Sequence, residues 1–444
     1  MKKNKKILIG IFILISVLII LPFFIPIKTY LNEAEKLASA ELGVPVTISS
    51  GRLLLLPSPR VVISGVNVGE GDTLTIEQLA VIPSLTTIFS ATRVVDIHIT
   101  KPTVKKEAID IMLALAGKKT DANNEPKMVN VRRVNVNALQ LDWPNLKLPA
   151  MNAEISFLQD QQLSAAMLES VDGALSAKVT PEQGEYLISI DAEKWTLPVG
   201  LPLLIDKGKL VAHLKADRLD VSRIEMELYG GKVNANLNMS WQKGWRSNGK
   251  VKVEGLAVKE PSRLISKAVY LSGQLSGNGF FSSAAKNADR LIDNINAEFT
   301  FKVHDGVVHG VDLIKVASLL TKQTTGGETA FDDFSGLANA KGKQYHLKDL
   351  KLSSGLLSGS GQVVIAENKT LDGTAEVEIK RSVSLVAVPL DISGTVDNPV
   401  VLPSKAALAG AVAGTAILGP GLGTSVGIKA AGAIDKLKGL FKND

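Results

Sequence analysis

"FTFKVHDGVVHG", residues 299–310, sets the architecture that this chain must adopt. Apolar and polar residues alternate from Phe299 to His304, the period of a half-buried β-strand. Asp305-Gly306 then supplies the positive φ that a two-residue type I′ turn demands. Closing a hairpin there pairs Val303 with Val308 and Lys302 with His309. Phe299, Phe301, Val303 and Val308 share one face; Thr300, Lys302, His304, Val307 and His309 share the other. Both histidines fall on the polar side, with a lysine opposite His309, a repulsive setting for a metal cation. The stretch therefore reads as a sheet with one greasy face rather than as a catalytic or metal-binding pair. Beyond it, Asp312 is placed to cap a short helix with an apolar stripe of Leu313, Val316, Ala317 and Leu320.

The same period-2 pattern extends in both directions. Between 128 and 258 nearly everything reads as short strands, and a last strand block covers 345–396. "MELYGGKVNANLNM" (226–239) and "LKLSSGLLSGSGQVV" (350–364) are self-similar. Met226, Leu228, Gly231, Val233 and Met239 of the first stand over Leu350, Leu352, Gly355, Leu357 and Val363 of the second. Repeated hairpins of this kind point to an extended sheet rather than a closed globule. Helical patterns are few: 28–42, closed by Gly43 and Pro45; 105–119, followed by the polar linker "TDANNEPK"; and short stretches at 261–270 and 284–294.

Composition agrees. The 444 residues include 38 Gly and only 5% aromatics, the make-up of a long β protein with many turns. With no cysteine, disulfides, thiolate metal sites and thiol nucleophiles are excluded. A net charge of +6 over this length does not suggest nucleic acid. Residues 7–27 form an uncharged apolar run of 21 residues behind the basic tail "MKKNKK" (1–6). As a helix it spans about 31 Å, enough to cross a bilayer. No small-x-small cleavage site follows, so an uncleaved anchor is expected, with Ile7, Phe12, Leu18, Leu21 and Ile27 in the lipid. The lysines stay cytoplasmic and the bulk of the chain is exported in a single pass. The tail, 403–444, holds a charge-free stretch with six glycines (406–428) and an amphipathic end. Either membrane contact or packing on the protein's own sheet accounts for it.

Catalytic signatures do not survive inspection. "GTSVG" (423–427) imitates a nucleophile elbow around Ser425, but no histidine follows position 346. "SAAK" (283–286) has the S-x-x-K spacing without its partner motifs and reads as a helix start. Phosphate-binding glycine patterns are lacking. No catalytic, cofactor-binding or metal residue is expected, and no enzyme activity.

The anchor running into "IPIKTYLNEAEKLASAELGVPVTISSGRLLLLPSPRVVISGVNVG" resembles the start of the AsmA family of Gram-negative envelope proteins. "GLAVKEPSRLI", "INAEFTFKVHDGVVHGVDLIKVASLL", "FDDFSGLANAKGKQYHLKDLKLSSGLLSGSGQVVIAENKTLDGTAEVEI" and "VPLDISGTVDNPVVLP" resemble its C-terminal half in content and order. The resemblance implies a mainly β fold: a transmembrane helix, then an elongated, curved antiparallel β-sheet forming a groove, with short helices at its ends. It divides the chain into an AsmA-like α+β region (28–127), a central β-groove (128–258) and a C-terminal AsmA-like β region (259–402). It implies an inner-membrane protein facing the periplasm, active in outer-membrane biogenesis and similar to bridge-like lipid transfer proteins. Phospholipid acyl chains would lie on Met226, Leu228, Val233, Phe299, Phe301, Val303, Val308, Leu350, Leu352 and Leu357. The tail offers a contact to the outer membrane or a partner protein there. The alternative is a periplasmic scaffold for outer-membrane proteins, binding through exposed strand edges.

Overall fold

The computed structural model describes residues 27–87, 89–108, 111, 129–143, 146–198, 200–318, 326–380 and 386–410. The anchor expected over 7–27 lies outside them, apart from the backbone of Ile27. So do most of the helix expected over 105–119, the linker after it, and the tail beyond 410. Among the described residues no helix is long and apolar enough to cross a membrane. The chain divides into two compact units, 1–193 and 194–444, at a point inside the 128–258 block.

The first unit opens with helix α1, Ile27–Leu42. It ends where the sequence requires, at Gly43, which takes φ +69° and donates its N–H to the Ser39 carbonyl at 2.9 Å. Nine strands follow: β1 Val46–Leu54, β2 Arg60–Val68, β3 Leu74–Pro83, β4 Arg93–Lys105, β5 Val129–Asp142, β6 Met151–Phe157, β7 Leu163–Ser170, β8 Leu175–Glu182 and β9 Glu185–Thr196. Each pairs antiparallel with the next, except that β4 and β5 run parallel from Arg93↔Val129 to Lys105↔Asp142. The sheet is thus mostly antiparallel, as expected, with this one parallel pair among the described strands. Parallel neighbours need a crossover connection, and the longest inter-strand segment of the unit, 106–128, supplies it. The core is Val46, Val66 and Val68, covered by Ala38 and Leu42 of α1.

The second unit comprises β10 Leu204–Leu214, β11 Arg218–Leu228, β12 Gly231–Ser240, β13 Trp245–Ala257, β14 Tyr270–Ala285, β15 Asn296–His309, β16 Glu328–Lys341, β17 Gln344–Ser353, β18 Leu357–Ile365, β19 Leu371–Ile379, β20 Val386–Thr395 and β21 Asn398–Pro403. Every pairing joins consecutive strands antiparallel. Helices α2, Lys259–Ile265, and α3, Leu313–Ala317, sit in two of the connections. Asp312 caps α3 as expected, accepting from Lys315 N at 2.9 Å.

Four local expectations are corrected. Asp305-Gly306 is not a hairpin turn: β15 runs straight through it, Asp305 at φ +49°, as a bulge opposite Gly273 of β14. "SAAK" is the end of β14, where the Ser283 hydroxyl donates to the Leu291 carbonyl at 2.6 Å, so it starts no helix. The helix expected over 284–294 is two 3₁₀ turns, Ala288–Arg290 and Ile292–Asn294, and α2 ends at Ile265 rather than 270.

Candidate functional site

Alternation along β11–β18 puts one set of side chains on a common apolar face. Leu228, Val233, Val303, Leu352 and Leu357 are buried members of one cluster with Val253, Leu256, Val258 and Phe331. Met226, Phe299, Phe301 and Val308 pack against it. Nine of the ten residues singled out in the sequence thus meet in this cluster or on it. Leu350 is outside the cluster but on the same face: half-buried, its Cδ2 lies over Gly336, 2.7 Å from where a Cβ would stand, with the Phe301 ring 3.2 Å from the same point. Val308 joins Val303 although the hairpin expected to pair them does not exist. The bulge at Asp305 adds one residue, shifts the alternation by one, and turns Gly306 and Val308 inward.

The face is unevenly covered. At one end, Val258, which opens α2, and Leu313 and Ile314 of α3 lie on the cluster, leaving Val303 and Leu357 1% exposed. The α3 connection also carries Val311, Val316 and Ala317 onto Val377, Val388, Leu390 and Val401 of β19–β21. At the other end of the same strands, Leu237, Met239, Phe281, Leu347 and Val363 are only part-buried. Glycines punctuate that stretch. A Cβ at Gly249 would stand 2.6 Å from the Phe281 ring, and one at Gly277 2.7 Å from the Phe299 ring. Large side chains therefore lie flat across glycines of the neighbouring strand, and the face stays shallow. A cavity of about 740 Å³ adjoins β17–β20 and mixes Ala375 and Leu390 with Lys351, Glu376 and Asp391. Its charged walls set it apart from the apolar rows.

The opposite face is polar and laced with ion pairs, such as Lys252–Glu254 at 2.6 Å. Here lie the histidines. His304 Nδ1 is 2.6 Å from Asp333 Oδ1, which also accepts from Lys302 Nζ at 3.0 Å. His309 stacks on Tyr270, with Nδ1 2.8 Å from Glu328 Oε1 and Nε2 3.0 Å from Ser272 Oγ. Carboxylates from β16 thus stand beside both rings, and Lys302 is not opposite His309, contrary to the sequence expectation. The Lys302 hydrogen bond holds the Asp333 carboxyl below its usual range. Among the described residues no three His, Asp or Glu side chains group as a metal site.

Sequence reading missed Val253, Leu256, Val258 and Phe331. The available signal was Gly255, whose φ of +63° marks a second bulge that moves the inward set from Val253 to Leu256. Ser425 lies outside the described residues. The model of the AsmA family matches residues 182–342, which hold β9–β16, the bulges at Gly255 and Asp305, and α2 and α3. That match begins inside the 128–258 block of expected strands and contains the segment 299–310. No curated protein matches the chain.

Proposed function

Residues 182–342 are an AsmA-family segment, and from that premise we propose that the chain is a non-enzymatic envelope protein that conducts phospholipids along its apolar sheet face. The protein is held in the bacterial inner membrane by residues 7–27, with the rest in the periplasm, and serves outer-membrane biogenesis. Acyl chains lie on the part-buried rows through Leu237, Met239, Phe281, Phe299, Leu347 and Val363, while head groups stay in water at the rim. The observation that carries this reading is the contrast along one face: covered at one end by Val258, just ahead of α2, and by Leu313 and Ile314 of α3, and open at the other. Apolar surface left in water costs about 25 cal/mol per Å², and a lipid chain removes that cost without a specific contact. Transfer on such a surface is passive, because no step requires a bond to form or break.

The scaffold reading needs free strand edges, and two edges are guarded. The Val46 and Ile48 N–H groups of β1 donate to Ser39 Oγ at 2.9 Å and Glu35 Oε1 at 2.5 Å of α1. β21 carries Pro399 and Pro403, which cannot donate to an added strand. The test is a photo-reactive residue placed at Leu237 or Phe299, or at their outward neighbours Asn238 and Thr300, in the full chain in cells. Illumination is expected to attach phospholipid at the first two and not at the second. Equal capture at all four, or capture of protein alone at the first two, overturns the proposal.

A further inference from the structure

One end of the first unit carries a rim of exposed apolar side chains. There β1 and β3 finish and β2, β4 and β5 begin, with Leu54 opposite Arg60, Pro83 opposite Val95 and Arg93 opposite Val129. The loops at that end present Leu56, Leu85, Phe89 and Leu158; Phe89 is 100% exposed and Leu85 62%. Single exposed apolar residues are ordinary, but four on the loops of one end mark a contact surface.

Charge and connectivity identify the contact. Residues 51–69 and 78–95 contain no Asp or Glu and bring Arg52, Arg60 and Arg93 to this end. Acidic groups at this end include Asp160, beside Leu158, and Glu182 and Glu185 of the β8–β9 hairpin, so the basic character belongs to the β1–β4 loops nearest α1; the loops at the opposite end carry Glu70, Asp72 and Asp172 together with Lys106 and Lys147. Helix α1 runs antiparallel to β1: Val46 bonds Ser39, and Ile48 bonds Glu35. Two strand residues advance about 6.6 Å while four helix residues retreat about 6 Å, so the two stay in step. Ile27 therefore emerges near Arg52, on the way to the rim. The chain before it is the uncharged apolar run 7–27. A bilayer holding that run faces the rim.

We propose that this end of the first unit docks on the membrane surface, with Leu85 and Phe89 inserted among acyl chains, Leu56 and Leu158 beside them, and Arg52, Arg60 and Arg93 on anionic head groups. The inference rests on residues 7–27 being an anchor and not on lipid in the second unit. Attraction to the interface scales with buried apolar area and with charge, and the tether raises the effective concentration of both. The anchor alone leaves the unit free to tumble; the rim fixes which end faces the bilayer.

The absence of cysteine makes the test clean. Single substitutions Leu85→Cys, Phe89→Cys and, as the far-end control, Val171→Cys are labelled with a polarity-sensitive fluorophore. The full chain is placed in vesicles of phosphatidylethanolamine and phosphatidylglycerol that contain lipid with a nitroxide on its acyl chain. Labels at 85 and 89 are expected to shift to the blue and to be quenched several-fold more than the label at 171. Arg60→Glu with Arg93→Glu is expected to reduce that quenching in the anionic vesicles. Quenching at 85 and 89 no greater than at 171 overturns the proposal. So does shielding from aqueous iodide without acyl-chain quenching, which identifies a protein occupant. Lipid captured at Phe299 with an unquenched rim sinks the docking alone; a quenched rim without capture at Phe299 sinks the lipid-conducting reading alone.

Discussion

Asp333 shows how the polar face is organised by single contacts. Its carboxylate receives Lys302 Nζ at 3.0 Å and His304 Nδ1 at 2.6 Å, and the lysine contact contributes most to lowering its pKa. A carboxyl whose folded pKa lies below its unfolded value adds stability above the unfolded pKa, near 3.9 for Asp. That contribution disappears as pH falls through the folded value, so its window lies below about pH 4. The group is exposed and the gain is small. An NMR titration of the side-chain carboxyl should give a midpoint below that of an ordinary Asp, and Lys302→Ala should raise it. An unchanged midpoint in the variant would assign the shift to another cause. The alternation that puts Lys302 and His304 outward was legible in "FTFKVH". Their carboxylate partner was not, because Asp333 comes from a different strand and register is set by the whole pairing.

Among the elements, α1 protects the edge of the first sheet. Ser39 and Glu35 accept the outward N–H groups of Val46 and Ile48, which on a bare edge would be open to another strand. Ser39→Ala with Glu35→Ala should therefore accelerate hydrogen exchange by roughly fivefold at Val46 and tenfold or more at Ile48, since a neutral bond contributes about 1 kcal/mol and a bond to a charged group more. The variant should also self-associate at lower concentration, by light scattering. Exchange unaltered at Val46 and Ile48 would mean that the helix merely lies nearby. The existence of α1, its stop at Gly43 and most strands could be read from period and punctuation. The bulges could not. Asp305-Gly306 offers a positive φ that suits a hairpin turn and a bulge equally, and only the pairing of β15 with both β14 and β16 decides between them. The candidate face was nevertheless identified, because either geometry returns Val308 to the side of Val303.

Across the molecule, sequential pairing makes stability local. Within each unit strands pair only with their neighbours in sequence, as in repeat arrays whose energy is close to a sum of nearest-neighbour terms. The second unit provides a test at Gly277 of β14. A side chain there would meet the Thr300 carbonyl at 2.4 Å and the Phe299 ring at 2.7 Å, backbone on one side and a packed ring on the other. Gly277→Val should cost about 1–3 kcal/mol, the usual range for overpacking. Near-neighbour coupling confines that cost: exchange should quicken roughly tenfold to a hundredfold in β13–β15, by 1.4 kcal/mol per factor of ten, and remain at the parent rate in β20 and β21. Those strands are held by Val388, Leu390 and Val401 against α3, in a cluster that β13–β15 reach only through Val308, nine residues along β15 from Phe299. Uniform acceleration through the unit would show instead one cooperative core. Local stability suits a surface whose open rows must accept and release chains while its sealed end stays packed, since opening one hairpin need not unfold the next.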